Sequence, residues 1–306
     1  MARKLILLAV LAAILGLTAF WVLTIPRSVS ASALNPHTPN LANGKTLFNI
    51  GGCTSCHATP GQKDRTKLGG GLALKSPFGT FYPPNISSDP DDGIGAWTEA
   101  QFITAMTKGT SPAGEHLYPA FPYTSYQRVS YRDLRDLFAF IKTLPAVRGR
   151  APAHELEFPF NIRRLVGLWK LLFLDGQPFQ PDPSQPDDWN RGAYLVNGAG
   201  HCAECHSPRN FLGGIIKSER FAGGPTPDGK DWVPNITQLK LKSWSVADIA
   251  EVLKTGTTPD SDRVGGPMVE VVRNTVLLSD DDRLAIATYI KSLPPVEGPP
   301  PPKKKD

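Results

Sequence analysis

The pattern Cys-x-x-Cys-His occurs twice in this chain, as Cys53-Thr54-Ser55-Cys56-His57 and as Cys202-Ala203-Glu204-Cys205-His206, and the two copies use all four cysteines. Both thiols of such a motif add across the vinyl groups of a haem as thioethers, and the adjacent histidine is then held at the right distance to ligate the iron. Rival readings fit less well. A zinc site built from two such cysteine pairs has them about 15–20 residues apart, whereas 145 residues separate Cys56 from Cys202. Disulfides leave the histidine after each pair unexplained, and a thioredoxin-type motif wants a βαβ setting that the chain lacks. The expectation is two covalently attached c-type haems, on Cys53 and Cys56 and on Cys202 and Cys205, with His57 and His206 as the proximal iron ligands.

The motifs are the clearest part of a longer internal repeat. Pro84-Asn85-Ile86 recurs as Pro234-Asn235-Ile236, and Leu144-Pro145 as Leu293-Pro294. The run from Trp97-Thr98 to Gly109-Thr110 recurs from Trp244-Ser245 to Gly256-Thr257 at a constant offset of 147. Two copies of one domain are expected, over 36–146 and 186–296, and both read as helical. Thr98 caps a helix over 98–108 that puts Phe102, Ile103 and Met106 on one face and stops at Gly109. Ser245 opens its counterpart over 245–254, with Ile249, Val252 and Leu253. Ser130 and Ser279 open a second matching pair, each ended by the proline of the Leu-Pro repeat. Almost nothing reads as sheet, so the fold class is all-α. The connector, 147–185, contains the apolar stretch 158–174, interrupted by Arg163, Arg164 and Lys170. It reads as a helix docked on one domain, with an interfacial membrane helix as the weaker alternative. The proline- and lysine-rich tail, 297–306, is expected to be extended and mobile.

Residues 1–35 carry an address. After Arg3 and Lys4, an unbroken apolar run covers 5–25 and is closed by Pro26. As a helix it would span about 31 Å against a hydrocarbon core of roughly 30 Å. That length favours a retained membrane anchor over a cleaved signal, although Ala31-Ser32-Ala33 has the small-residue pattern of a cleavage site. Either way the remainder lies outside the cytoplasm, because positive flanks stay inside. Of the formal net charge of +5, Arg3 and Lys4 supply two and Lys303, Lys304 and Lys305 with Asp306 a net two, which leaves the rest at +1. So neutral a body argues against nucleic acid as a partner.

The second axial ligand of a c-type haem is often methionine, whose thioether raises the potential. Met268, in Gly265-Gly266-Pro267-Met268, fits that role for the second haem from an expected loop. The same offset of 147 places Phe121 at the corresponding position of the first copy, and phenylalanine cannot ligate iron. Met106 falls on a helix's apolar face and reads as core. His116 in the same loop as Phe121, His154 in the connector and His37 near the anchor are the available donors. The first haem is then either bis-histidine with a displaced loop or five-coordinate under Phe121, with an open or weakly held iron slightly favoured. His201, next to Cys202, reads as a surface residue. Asn85 and Asn235 either face haem propionates or hydrogen-bond their own turns.

Ile94-Gly95-Ala96-Trp97, His116-Leu117-Tyr118-Pro119-Ala120, Phe158-Pro159-Phe160-Asn161-Ile162-Arg163, Trp189-Asn190-Arg191-Gly192-Ala193-Tyr194-Leu195, Cys205-His206-Ser207-Pro208-Arg209-Asn210 and Gly266-Pro267-Met268 give the chain a further likeness. From about residue 40 to 295 it resembles the cytochrome c subunits of bacterial membrane-bound dehydrogenases for alcohols, gluconate and related substrates. That resemblance implies tandem class I cytochrome c-like domains behind a transmembrane helix. It also implies an electron-transfer protein rather than an enzyme, on the periplasmic side of the inner membrane. A dehydrogenase subunit would be the electron donor, and quinone, a soluble cytochrome or a terminal oxidase the acceptor. Two departures stand out: such subunits commonly carry three haem domains, and they place methionine where Phe121 stands. Phe121 keeps alive a haem enzyme or a gas-binding module using an open first haem. Its lack of a hydrogen-bond donor counts against the enzyme.

Overall fold

The computed structural model describes residues 1–226 and 228–301, and it is mostly helical. Lys303, Lys304 and Lys305 of the expected mobile tail lie outside the described residues. The first helix, α1 (Ala2–Leu23), is exposed along its length, and by length and composition it can cross a membrane. It stops before Pro26, whose ring disfavours helical backbone at the residue ahead of it. Its end is anchored: the Thr24 hydroxyl donates to the Phe20 carbonyl at 2.6 Å, and Thr24 is completely buried against the body.

The body begins with α2 (Leu41–Ile50), α3 (Cys53–His57) and a hairpin of β1 (Leu74–Ser76) with β2 (Gly79–Phe81), in register Leu74 to Phe81. Helices α4 (Glu99–Lys108), α5 (Tyr123–Tyr126) and α6 (Tyr131–Lys142) follow. In the connector, β3 (Glu155–Leu156) adds to the free edge of β2, and a 3₁₀ turn over Arg163–Leu165 leads into α7 (Val166–Phe173). The element order then recurs. Helices α8 (Asp187–Asn197) and α9 (Ala203–His206) come first, then the short pair β4 (Gly224–Pro225) and β5 (Trp232–Val233). Helices α10 (Val246–Thr255), α11 (Met268–Thr275) and α12 (Asp280–Ser292) complete it.

The caps read from the sequence form as expected. Thr98 and Gln101 make a reciprocal capping box on α4, and Ser245 and Asp248 make one on α10. Gly109 and Gly256 close these helices at φ 56° and 75°, the left-handed conformation that glycine adopts without strain. Each half is organised by a helix crossing, α2 on α6 and α8 on α12. A Cβ on Gly44 would overlap the Asp136 carbonyl and crowd Phe140. One on Gly192 would overlap the Ala285 carbonyl and crowd Tyr289. Glycine lets each pair of backbones touch. One continuous cluster of buried side chains, including Leu47, Leu134, Leu195 and Ile286, runs through both halves.

Two local expectations change. Met268 is the first residue of α11 rather than part of a loop, because Pro267, at φ −60°, is already shaped to start a helix. The connector helix is shorter than 158–174, since Pro159 interrupts the run and only 166–173 closes α-helical turns.

Candidate functional site

In each half, a glycine-rich turn delivers the chain into the short motif helix. Gly52 adopts φ 57° ahead of α3, which carries Cys53, Cys56 and His57 at spacings of three and four residues and so on one side. The His57 Nδ1 lies 2.8 Å from the carbonyl oxygen of Pro84, and the His206 Nδ1 lies 2.8 Å from that of Pro234. A carbonyl only accepts, so Nδ1 carries the proton in both rings and Nε2 presents its lone pair. Burial lowers both histidine pKa values against the opposing pull of that hydrogen bond, which keeps the rings neutral and ligand-competent. Burial pushes the Cys53 and Cys202 thiols up to about 12, opposite to the lowered values of activated thiolates. Partly buried apolar residues recur in pairs between the halves: Ile86 with Ile236, Trp97 with Trp244, Phe121 with Met268. Two thiols, one tautomer-locked imidazole and an apolar lining fit a covalent haem in each half.

The recurring asparagines hold the turns that present these carbonyls. Asn85 accepts from the Ser87 backbone at 2.9 Å and donates to the Val147 and Gly149 carbonyls at 2.6 and 2.9 Å. Asn235 accepts from the Thr237 backbone and donates to Val296 O, both at 2.8 Å. Their amides therefore staple the chain beyond each last helix instead of reaching for propionates. The motif Pro-Asn-Ile was visible in the sequence, but the atom that matters in it is a main-chain oxygen.

On the far side, Met268 is partly buried at the start of α11, and Phe121 sits between Tyr123 and Tyr126 with ring centroids 6.4 and 5.4 Å away. The histidines considered as substitutes are all engaged elsewhere. His116 donates from Nε2 to Thr24 O at 2.8 Å and accepts at Nδ1 from the Lys170 ammonium at 3.0 Å. His37 pairs with Asp136 at 2.6 Å. His154 accepts from the Tyr82 backbone and packs its ring on Phe81 and Tyr118. Met106 is core, as expected. His201 is not a surface residue: its ring meets Tyr126 edge-on, and Nε2 lies 3.2 Å from Gly51 O of the first motif's turn.

That last contact belongs to an interface with a rough two-fold pattern, which was not visible in the sequence. Asn274, on α11, accepts from the Thr54 hydroxyl at 2.9 Å and donates to Ser55 Oγ at 2.8 Å. Reciprocally, Thr124 and Ser125, on α5, donate to one Glu204 oxygen at 2.9 and 2.8 Å, while Arg209 pairs with the other at 2.7 Å. Each half thus grips the middle residues of the other half's cysteine motif. Burial alone would raise the Glu204 pKa, but Arg209 and the two hydroxyls outweigh it and hold the carboxylate ionised.

Paired Cys-x-x-Cys-His motifs, tautomer-locked histidines and a helical body fit a c-type cytochrome. Comparison with known proteins agrees. The family model for cytochrome c matches residues 41–145. A protein named diheme cytochrome c-type, from Cereibacter sphaeroides, is 48% identical over 93% of this chain and 96% of its own length. The fructose dehydrogenase cytochrome subunit of Gluconobacter japonicus is 41% identical over 84% of this chain and 53% of its own. The cytochrome c subunit of the quinone-dependent alcohol dehydrogenase of Gluconacetobacter polyoxogenes is 37% identical over 83% and 56%. The chain therefore spans nearly all of the first of these relatives and little more than half the length of the other two. It belongs to the cytochrome c family, in the group of di-haem cytochromes and dehydrogenase cytochrome subunits, and covalent haem c is its cofactor.

Proposed function

We propose that this chain is a membrane-anchored carrier with two haems c that takes electrons from a dehydrogenase subunit and passes them to quinone, a soluble cytochrome or a terminal oxidase. Its haem domains are 36–146 and 186–296. Cys53 and Cys56, with His57, hold the first haem; Cys202 and Cys205, with His206 and Met268, hold the second. The observation that carries this reading is the repetition of one site: the same short helix, the same imidazole and the same proline carbonyl at 2.8 Å in both halves. When bound, haem c supplies a reversible one-electron Fe(III)/Fe(II) couple. The chain's own part is to fix the imidazole tautomers, to exclude water with paired apolar residues, and to brace each motif from the other half.

Retention of α1 is supported by its built-in socket. Cleavage after Ala33 would remove Thr24, leaving the His116 Nε2–H and the Arg164 guanidinium without their partner, along with the Val29 N–H bond to Thr104. Arg3 and Lys4, in the first turn of α1, support a periplasmic body, because positive flanks stay on the cytoplasmic side. The test is an intact mass and an alkaline pyridine spectrum of protein extracted from membranes. Two haems per polypeptide, thioether adducts on both motif peptides and a mass that includes residues 1–33 are expected. A single haem, or a chain starting at Leu34, defeats the corresponding part.

A further inference from the structure

Helix α7 is inside out for a helix packed in water. Its only charged residue, Lys170, is 8% exposed, with its ammonium bonded to the Lys108 and Gly109 carbonyls and to His116 Nδ1. Leu168, Leu171 and Leu172 instead stand 38%, 48% and 64% exposed. A surface helix normally turns its leucines inward and its lysine out.

The apolar surface continues beyond α7. Phe158, just ahead of it, is 78% exposed. Phe160 meets the Phe78 ring edge-on with centroids 4.9 Å apart, and Phe78 in turn closes on Gly213, where a Cβ would lie 3.2 Å from its ring. Trp169 Nε1 donates to Leu212 O at 2.9 Å, tying down the loop that carries Phe211, itself 89% exposed. Contiguous exposed apolar surface of this kind marks a contact site.

The position of the surface names the partner. Gly167 is bare because Thr24, at the end of α1, packs where its side chain would be. The Arg164 guanidinium lies 4.2 Å over the Trp21 ring and donates to Trp21 O and Thr24 Oγ1, both at 2.7 Å. Helix α7 therefore starts where α1 emerges, at a tryptophan and an arginine, the residue types that gather at the membrane–water interface. A surface fixed to that point has the bilayer as its neighbour.

We propose that α7, the 158–162 segment before it and the Phe211-Leu212 tip form a second membrane contact, seated at the boundary of headgroups and acyl chains. The contact stops the haem-bearing body from swivelling about α1 and fixes which face it turns to the membrane. It rests on the reading of α1 as a retained anchor.

The full-length holoprotein is placed in nanodiscs of phosphatidylcholine and phosphatidylglycerol that carry a diazirine on the acyl chain, irradiated, and mapped by peptide mass spectrometry. Adducts are expected on peptides from α1, from 158–172 and from the Phe211-Leu212 loop. Leu171→Glu/Leu172→Glu, two exposed positions whose change spares the fold, is expected to lose the α7 adducts while keeping those on α1. Adducts on α1 alone overturn the proposal and leave the anchor standing; none on α1 overturns both. An unchanged pattern in the double variant also overturns it. So does a surface that lipid leaves unlabelled but an added dehydrogenase subunit shields, which assigns it to a protein partner.

Discussion

Pro84 and Pro234 give His57 and His206 a main-chain oxygen, a fixed acceptor that settles which ring nitrogen is free. At the same scale, His116, His37 and His154 are committed to other partners and Phe121 has no donor atom, so the first haem of the proposed reading would lack a second strong ligand. Carbon monoxide is therefore expected to shift the spectrum of one haem of the reduced protein, and Phe121→Met to abolish that shift and convert a high-spin EPR signal to low-spin. Two low-spin haems in the unaltered protein would refute this. Lys170 gives a pH dependence. Burial pushes its pKa down to about 7, so between that pH and the ordinary lysine range near 10.4 the unfolded chain holds a proton that the folded one has released. Stability is then expected to rise as pH increases from 7 to 10, and to fall as pH is lowered through that window. Lys170→Met should flatten that rise and, by stranding the Lys108 and Gly109 carbonyls and His116 Nδ1, cost about 1–3 kcal/mol at neutral pH. Denaturant titrations across pH read both effects, and equal slopes in the two proteins would exclude Lys170 as the source.

At the scale of elements, what could be read ahead was what local chemistry decides. Thr98, Ser130, Ser245 and Ser279 announce α4, α6, α10 and α12 because a capping hydroxyl and a periodic apolar face lie within a few residues of each other. The attachment motifs were equally legible, since thioether chemistry needs those residues in that order. Helices α2 and α8 are as long as α4 and α10, and Asn40 even caps α2, but Gly44 and Gly192 weaken them locally in favour of a contact with a helix about ninety residues away. The fate of His116 was hidden for the same reason, being decided by Thr24 and Lys170, 92 and 54 positions distant. The crossing makes its own prediction. Gly192→Ala forces a methyl into the Ala285 carbonyl and should cost upward of about 3 kcal/mol, lowering Tm by roughly 6–12 °C. Thermal melts followed by far-UV circular dichroism test it, and a Tm within a degree of the parent would mean that α8 and α12 can separate freely.

For the whole molecule, the decisive feature is that neither half holds its own Cys-x-x-Cys-His motif alone. Asn274 braces the Thr54-Ser55 turn from the second half, and Thr124 and Ser125 brace Glu204 from the first. Each motif helix is thus held by a helix of the other half, α3 by α11 and α9 by α5, so the ground between the two motifs is packed protein. Glu204 is the charge at that crossing, with its side chain only 11% exposed and its ionised form favoured by Arg209. A fixed negative charge favours the oxidised iron. At a separation of about 10 Å and an effective dielectric of about 20 it is worth about 1.7 kcal/mol, or roughly 70 mV for one electron. Glu204→Gln keeps an oxygen for both hydroxyls and removes the charge, which leaves Arg209 uncompensated. Spectroelectrochemical titration should then show both midpoint potentials rising by tens of millivolts, the second haem's by more, because Glu204 lies between Cys202 and Cys205. If the two potentials stay put, the carboxylate only braces the interface; if the first moves more than the second, the haem it governs is the one across the interface.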